Sequence, residues 1–316
     1  MISILIVTYN SEQWISRCLE SLAASGAEIV VADNGSTDHT VDVVRRFPKV
    51  KLLPSPTNLG FAAAVNRAAR QSAGQSLLIL NPDTICRTPL SPLEEALHRS
   101  EKIVAAAPRL VDSGGQFQRG FAVRRLPTRT ALLLEILLVN RLFPNNPVNR
   151  RYRCLDFDPE REQEVEQPAG ACLLVRRSSF EAAGGMDENF SPLWFEDVDL
   201  CQRLRQAGGT ILYVPAVRFE HAGGHSLRAV TFSEKQVYWY RNLLYYVRKH
   251  YGWGTGAMVR LALLAGVGLR MVAELISLVL NRRTPARVRG ERLRAYWRAA
   301  RLCFSAGEGR GRVRVW

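Results

Sequence analysis

Along the first hundred residues, short apolar or β-branched runs alternate with stretches whose apolar positions recur at helical spacing. The runs are 3–9, 28–33, 50–54 and 77–80, and the helical stretches are 13–24, 37–47 and 61–73. This βαβα order predicts an α/β fold with a doubly wound, mostly parallel sheet and a ligand site at the carboxyl ends of the strands. From about Val104 the alternation loosens, through an apolar stretch at 131–143, into 145–167. That last segment is rich in Pro, Arg and acids and predicts a mobile loop. A strand at 171–175, a helix after Ser178, a break at Gly184 and Gly185, a helix at 196–206 and a strand at 210–219 follow. The last ninety residues have a helical pattern, and no internal repeat is found.

With 316 residues, 47% hydrophobic and 23% charged, the chain can bury a large core, which excludes a disordered or fibrous protein. The net charge of +14 calls for an anionic partner: nucleotide phosphates, nucleic acid or an acidic membrane surface. Residues 281–316 hold 11 Arg against Glu291 and Glu308, so +9 of the charge belongs to the tail and only +5 to the first 280 residues. Six scattered cysteines without a CxxC pair predict free thiols in a reducing cytosol, not a disulfide frame or structural zinc. The apolar run at 2–7 has no preceding Lys or Arg, so no signal peptide is expected.

The candidate chemistry falls at the predicted strand ends. A dinucleotide fold would follow its first strand with a glycine-rich turn, but here Thr8, Tyr9 and Asn10 follow and the first glycine is Gly26. Strand two ends in Asp33-Asn34-Gly35-Ser36, where a carboxylate can accept from a pyrimidine N–H or a ribose hydroxyl while Tyr9 stacks on the base. Asp33 and Asp38 can equally be caps of the following helix. Strand four ends in Asn81-Pro82-Asp83, a carboxylate on a proline turn suited to a divalent ion that also takes diphosphate oxygens, though a turn-capping Asp is the commoner meaning of such a motif. Trp194-Phe195-Glu196-Asp197-Val198-Asp199 opens a helix, where acids compensate the dipole or, functionally, supply a general base for an acceptor hydroxyl. Residues 219–226 end a strand in a glycine turn holding His221 and His225, two of only five histidines. With Asp83, His221 makes an N/O set compatible with Mn²⁺ or Mg²⁺.

These motifs, with Asn58, Gly60, Asn66 and Gly170-Ala171 before Arg176-Arg177, stand in an order that resembles the family 2 glycosyltransferases over roughly residues 1–250, and within them the bacterial rhamnosyltransferase-like branch. The resemblance implies a GT-A fold and an inverting enzyme. By position it places Thr8, Tyr9, Asn10, Asp33 and Asn34 around the nucleoside, and Asn58, Gly60, Asn66, Asn81, Gly170, Ala171 and Trp194 around the donor. Asp83 takes the last place of the metal-binding Asp-x-Asp motif, with Asn81 in the first. That departure leaves one carboxylate and raises the importance of His221. Asp197 matches the catalytic base and Glu196 its neighbour. The donor implied is dTDP-L-rhamnose, and the acceptor a saccharide or lipid-linked hydroxyl. Residues 1–110 form the nucleotide-sugar half, 111–230 the acceptor and catalytic half, and 231–316 a basic helical C-terminal extension.

In the extension, 257–280 is apolar but interrupted by Arg260, Arg270 and Glu274, each costing about 2.5–3.5 kcal/mol at a bilayer centre, which disfavours a spanning helix. At 100° per residue these three share a stripe with Ser277 and Asn281, Leu263 and Val267 being exceptions, which predicts an interfacial helix. Arginines 287–301 interleaved with Tyr296, Trp297 and Phe304 suit anionic headgroups, and a cytoplasmic enzyme lying peripherally on the inner membrane face is expected. The competing reading is a helix pair packed on the enzyme. A sugar nucleotidyltransferase of similar fold lacks its glycine-rich phosphate loop here. A nucleic-acid-binding protein would leave Asp33, Asp83, Asp197 and His221 idle, so nucleic acid is not an expected partner.

Overall fold

The computed structural model describes residues 1–223, 231–280 and 285–304. Gly224, His225 and Ser226 of the histidine motif, Asn281 of the stripe and the side chain of Arg287 lie outside the described residues. The amino-terminal half runs β1 (Ile2–Thr8), α1 (Glu12–Leu22), β2 (Glu28–Asp33), α2 (Thr40–Arg45), β3 (Val50–Pro54), α3 (Phe61–Arg70), β4 (Ser76–Leu80), β5 (Thr84–Cys86), α4 (Ser91–His98) and β6 (Ile103–Val111). Then come β7 (Val123–Arg124), α5 (Arg129–Ile136), α6 (Val139–Leu142), α7 (Pro147–Tyr152), β8 (Gln163–Val165), β9 (Gln167–Pro168), β10 (Cys172–Arg176) and α8 (Arg177–Ala182). The chain closes with α9 (Glu196–Gln206), β11 (Thr210–His221), α10 (Phe232–Leu280), which breaks at Gly252 into two arms, and α11 (Ala286–Leu302).

The main sheet has the order β3-β2-β1-β4-β10-β6-β11-β5, with β8 added on β11. The first four strands are parallel, as the alternation predicts, and β11 is parallel to β6; β10, β5 and β8 are antiparallel to their neighbours. Because β1 and β4 are covered on both faces, they read as continuous apolar runs. One face packs Ile4, Ile6, Leu78 and Leu80 against α1 and α4, and the other packs Leu5, Val7, Leu77 and Ile79 against α3 and α9. At the β10–α8 junction Arg176 donates to the carbonyls of Leu97, Ser100 and Ile103 and Arg177 to those of Ala69, Ser72 and Gly74, tying the junction to the ends of α4 and α3.

Segment 145–167 corrects the loop expectation. Asn146 caps α7 by accepting from Asn149 N–H, Pro147 opens it, and β8 pairs with the exposed side of β11. Its arginines and acids pin it from outside, with Glu160 paired to Arg109, Glu162 to Arg99 and Glu166 to Arg125. A third core lies under the C-terminal helices, where Leu132, Ile136, Phe190, Phe195, Tyr240, Tyr246, Leu263 and Tyr296 pack together. Leu263 and Val267, exceptions to the polar stripe, are its buried contacts.

Candidate active site

The parallel register sets Thr8 beside Asp33, and Thr8 Oγ1 donates to Asp33 Oδ1 at 2.9 Å. Asp33 is buried and also accepts from Ser36 Oγ and from the N–H groups of Gly35 and Ser36 at 3.2 and 3.0 Å. Asn10 Oδ1 accepts from Thr37 N–H at 2.8 Å, tying the β1 and β2 loops together. Asn34 is the next clasp: its side chain donates to Gly60 O at 3.2 Å and accepts from Leu59 N–H at 3.3 Å. Asn58 Oδ1 closes the same turn on Gly60 N–H at 2.9 Å. Gly60 has φ 89° and would bring a Cβ to 3.2 Å from Ser191 Oγ, so the turn needs glycine and lies against the 191–195 loop. Asn66, from α3, clasps that region too, donating to Met186 O at 2.8 Å and accepting from Met186 N–H at 2.9 Å. Asn10, Asn34 and Asn58 therefore tie the loops after β1, β2 and β3 to one another, and Asn66 ties α3 to the segment before α9.

Asp83 and His221 are distant in sequence, and the β5–β11 ladder brings them together by pairing His221 with Thr84. Asp83 Oδ1 lies 3.5 Å from His221 Nε2, and both side chains are almost wholly buried. Gln118 was not legible as part of the site: its Oε1 meets His221 Nδ1 at 3.0 Å and its Nε2 donates to His221 O at 2.8 Å. Phe121 stacks on the imidazole with ring centroids 5.1 Å apart. Burial pushes the His221 imidazolium toward neutrality, against the opposing pull of Asp83. A neutral ring whose Nδ1–H is held by Gln118 directs the Nε2 lone pair at Asp83. Asp83 Oδ1 itself is buried and has no hydrogen-bond donor. One orphan carboxylate oxygen beside one imidazole lone pair is a donor set that fits a divalent cation. Among the described residues no cluster of three or more such ligands occurs, so such an ion would have to complete its shell from diphosphate or water.

The base candidate is joined to this corner through backbone. Asn81 N–H donates to Ala171 O at 2.9 Å, and next along the chain Gly170 N–H donates to Asp197 Oδ2 at 3.0 Å. A Cβ on Gly170 would meet Asp197 Cβ at 2.8 Å, so only glycine permits this approach. Asp197 also accepts from Val198 N–H at 2.8 Å and from Gln167 Nε2 at 3.5 Å. The surrounding protein raises its pKa above the ordinary aspartate value; Gly170, Val198 and the nearby Arg124 guanidinium oppose the shift. Glu196 differs: it is buried, its Oε2 has no partner, and burial followed by the charge of Asp197 pushes its carboxyl well up. Burial thus shifts both carboxyls up, Glu196 the further, while the donors around Asp197 favour its anionic form, the form a base requires.

Both acids are presented by Trp194 and Phe195, which take left-handed φ values of 76° and 72°. Two successive non-glycine residues in that region hold only if tertiary contacts fix them. Asn242, wholly buried in α10, donates to Leu193 O at 2.8 Å and Trp194 O at 3.2 Å. Phe195 packs on Trp239 and Tyr246 of the same helix. Asp199, inside the acidic motif, has a supporting place: it is buried and meets Arg203, Lys249 and His250, each at 2.7 Å. Burial alone would raise its pKa, but His250, Lys249 and Arg203 together hold it below the usual range.

This sheet, with acidic and histidine side chains at the strand ends and a carboxylate at the α9 start, is the GT-A fold of nucleotide-sugar-dependent glycosyltransferases. Solved structures share it. One is the Pyrobaculum calidifontis mannosyltransferase PcManGT in complex with GDP-Man and Mn²⁺, with TM-score 0.54 and 16% identity over 96% of this chain and 87% of that one. GalNAc-T7 with UDP, GalNAc and Mn²⁺ aligns with TM-score 0.53 and 16% identity over 77% of this chain and 50% of its own. The model of the Glycosyl transferase family 2 matches residues 3–183, and the chain belongs to that family. It falls in the rhamnosyltransferase-like branch. It is 32% identical over 269 residues to the N-acetylglucosaminyl-diphospho-decaprenol L-rhamnosyltransferase of Mycobacterium tuberculosis (strain ATCC 25618 / H37Rv), covering 80% of this chain and 86% of that protein. It is 25% identical over 249 residues to the rhamnosyltransferase WbbL of Escherichia coli (strain K12), covering 76% and 89%.

Proposed function

We propose that the enzyme transfers L-rhamnose from dTDP-L-rhamnose to a hydroxyl of a lipid-linked saccharide, with inversion at the anomeric carbon. The observation that carries the reading is the pairing of a donor-rich Asp197 with a separate Asp83–His221 corner, joined through the Asn81–Ala171 and Gly170–Asp197 bonds. Two of its relatives, an L-rhamnosyltransferase named for a diphospho-decaprenol acceptor and a rhamnosyltransferase, support the choice of sugar and acceptor.

In this mechanism residues 1–110 hold the nucleotide, with Thr8, Tyr9 and Asp33 at the nucleoside, and 111–230 receive the acceptor. Asp197 accepts the acceptor hydroxyl proton as the oxygen bonds to the anomeric carbon and the bond to the diphosphate oxygen breaks. Arg124 and the Gly170 and Val198 N–H groups favour the unprotonated form of Asp197 against the upward pull of burial. Asp83 and His221 would hold Mn²⁺ or Mg²⁺, which supplies charge neutralisation for the departing diphosphate. Gln118 holds His221 in the tautomer this needs. Burial and the charge of Asp197 disfavour a second negative charge on Glu196 beside the base. We place the enzyme on the inner membrane face, with no nucleic-acid partner.

The test is a panel of nucleotide sugars with Mn²⁺, Mg²⁺ or chelator, read as nucleoside diphosphate release and as transfer to a polyprenyl-diphosphate saccharide. Release from dTDP-L-rhamnose only with metal, lost in Asp83→Ala, is expected. Undiminished turnover in chelator or in Asp83→Ala refutes the metal corner; preference for another donor refutes the sugar.

A further inference from the structure

Between α10 and the segment that carries α5, α6 and α7 lies an open cleft of about 630 Å³, which none of the site residues named so far lines. Its volume is in the range of a small-molecule site, and its lining is polar. Arg141, Arg153 and Arg270 face it with Glu135, its one acid among the described residues, while Asn140, Asn145, Asn149 and Gln236 add amides. Glu135 is already engaged: it pairs with Arg153 Nη2 at 3.2 Å and accepts from Asn140 Nδ2 at 2.9 Å. Arg153 Nε donates to Asn149 Oδ1 at 3.0 Å, so Glu135 and Arg153 form a neutral, satisfied wall.

Two cations remain. Arg270 is held in place, with Nη1 donating to Ile136 O and Gly266 O, both at 2.8 Å, and its guanidinium 5.9 Å from the centre of the Tyr240 ring. Arg141, on α6, is exposed, and among the described residues neither arginine pairs with a carboxylate. Both act on one phenol: burial and then Glu274 push the Tyr296 hydroxyl up, and Arg270, Arg292 and Arg141 oppose the shift. Two uncompensated guanidiniums beside amides are the donor set that a phosphate recognises.

The cleft is also continuous with the base loop. Trp239 lines it and packs on Phe195 with ring centroids 5.9 Å apart, and Phe195 immediately precedes Glu196 and Asp197. Tyr240 meets the Trp239 ring edge-on at 5.1 Å and in turn carries Arg270, so aromatic rings run from the base loop to the cation. The other wall reaches the same place: Arg153 and Leu155 lie beside Gly120, whose carbonyl accepts at 2.7 Å from Nε of Arg124, the guanidinium that favours the Asp197 anion. The Asp83–His221 corner contributes nothing to this lining, so a diphosphate held here is a second one, distinct from that of the donor.

We propose that this cleft binds the acceptor as a saccharide carried on a diphosphate, with the sugar ring against Trp239 and the diphosphate between Arg141 and Arg270. The proposal deepens the lipid-linked acceptor reading and rests on it for the transfer step.

Full-length protein is titrated calorimetrically with farnesyl-diphosphate-linked N-acetylglucosamine, with the matching farnesyl glycoside lacking phosphates, and with dTDP. The two farnesyl ligands are run both alone and with dTDP and Mn²⁺ present. Wild type is expected to bind the diphosphate compound at least about tenfold more tightly than the glycoside, since hydrogen bonds to charged groups carry the difference. Arg141→Glu should weaken that binding about 10–100-fold, Arg141→Lys should restore most of it, and Asn145→Asp should weaken it about threefold or more by adding an anion to the lining. Arg141 and Asn145 are both exposed, so each variant should melt at the wild-type temperature. The affinity for dTDP should stay within about twofold in every variant. Diphosphate-saccharide binding that is absent in wild type, or unchanged in both Arg141→Glu and Asn145→Asp, overturns the proposal. So does a loss of dTDP affinity in Arg141→Glu equal to the loss for the farnesyl compound, which would make the cleft part of the donor site. Metal-dependent release of nucleoside diphosphate from dTDP-L-rhamnose without farnesyl-diphosphate binding overturns the cleft and leaves the donor reading standing. Preference for another donor with cleft binding intact refutes the sugar and leaves the cleft.

Discussion

Asn242→Leu removes a polar clasp from α10 to the catalytic loop while preserving volume. The amide donates to two carbonyls, Leu193 O and Trp194 O, at a wholly buried position. Leaving buried acceptors unpaired costs about 1–3 kcal/mol. The left-handed pair Trp194–Phe195 stores about 1–3 kcal/mol per residue that the clasp helps to hold, so relaxation of the loop is favoured once it is gone. The fold should survive, because Phe195 keeps its packing on Trp239 and Tyr246. A loss of about 2–3 kcal/mol corresponds to a fall of roughly 3–5 °C in Tm for a chain of this size. The larger effect should be on chemistry: a shift of about 1 Å in Glu196–Asp197 costs on the order of 100-fold in kcat. Donor KM should stay within about twofold, because Asp33 and Asp83 lie on other elements and keep their own contacts. Calorimetric melting and steady-state transfer, run on Asn242→Leu and on the exposed control Leu261→Ser, separate the two readouts. A lowered Tm with unchanged kcat would refute the claim that Asn242 positions the base; a raised donor KM with unchanged kcat would place it in donor binding instead.

Asp197→Asn keeps the donors around the side chain but cannot take a proton, so transfer should fall about 10²–10⁴-fold with nucleotide affinity retained, and Glu196→Gln should be milder; the reverse order moves the base to Glu196. In kcat/KM profiles the acid limb should lie above the ordinary aspartate pKa, because the protein around Asp197 raises its value. Arg124→Gln removes a neighbouring cation that favours the anion, so its limb should move to still higher pH; a limb that moves down or stays refutes the assignment. Gln118→Leu frees the His221 ring, and titration with Mn²⁺ and nucleoside diphosphate should show metal affinity about 10–100-fold weaker. Asp199 has a folded pKa held below its unfolded one, so its contribution is complete above the ordinary aspartate value and is lost as pH falls through the lower folded value. Lys249→Met should therefore flatten the acid side of the stability curve below about pH 4 and leave neutral-pH kcat nearly unchanged.

How far the sequence reached depended on whether a signal was local. The β1 to β4 alternation and the α9 start at Glu196 follow from periodicity, and the strand ends carry Asp33 and Asp83 because a parallel sheet collects its carboxyl ends on one side. Family order chose Asp197 within the acidic motif and raised the weight of His221, already paired with Asp83 as an N/O set; no spacing rule joins the two sites. Gln118, Arg124 and Asn242 were not legible: each acts through a partner about 50 to 100 residues away, and a lone Gln, Arg or Asn carries no period. The 145–167 segment was misread as a mobile loop because its order comes from pairing with β11 and from ion pairs with distant arginines, not from its own propensity. The polar stripe on α10 was visible, but its direction was not. Amphipathicity fixes that a helix has two faces; only the core of Leu132, Ile136 and Tyr240, with carbonyls able to receive Arg270, decides which of them turns inward.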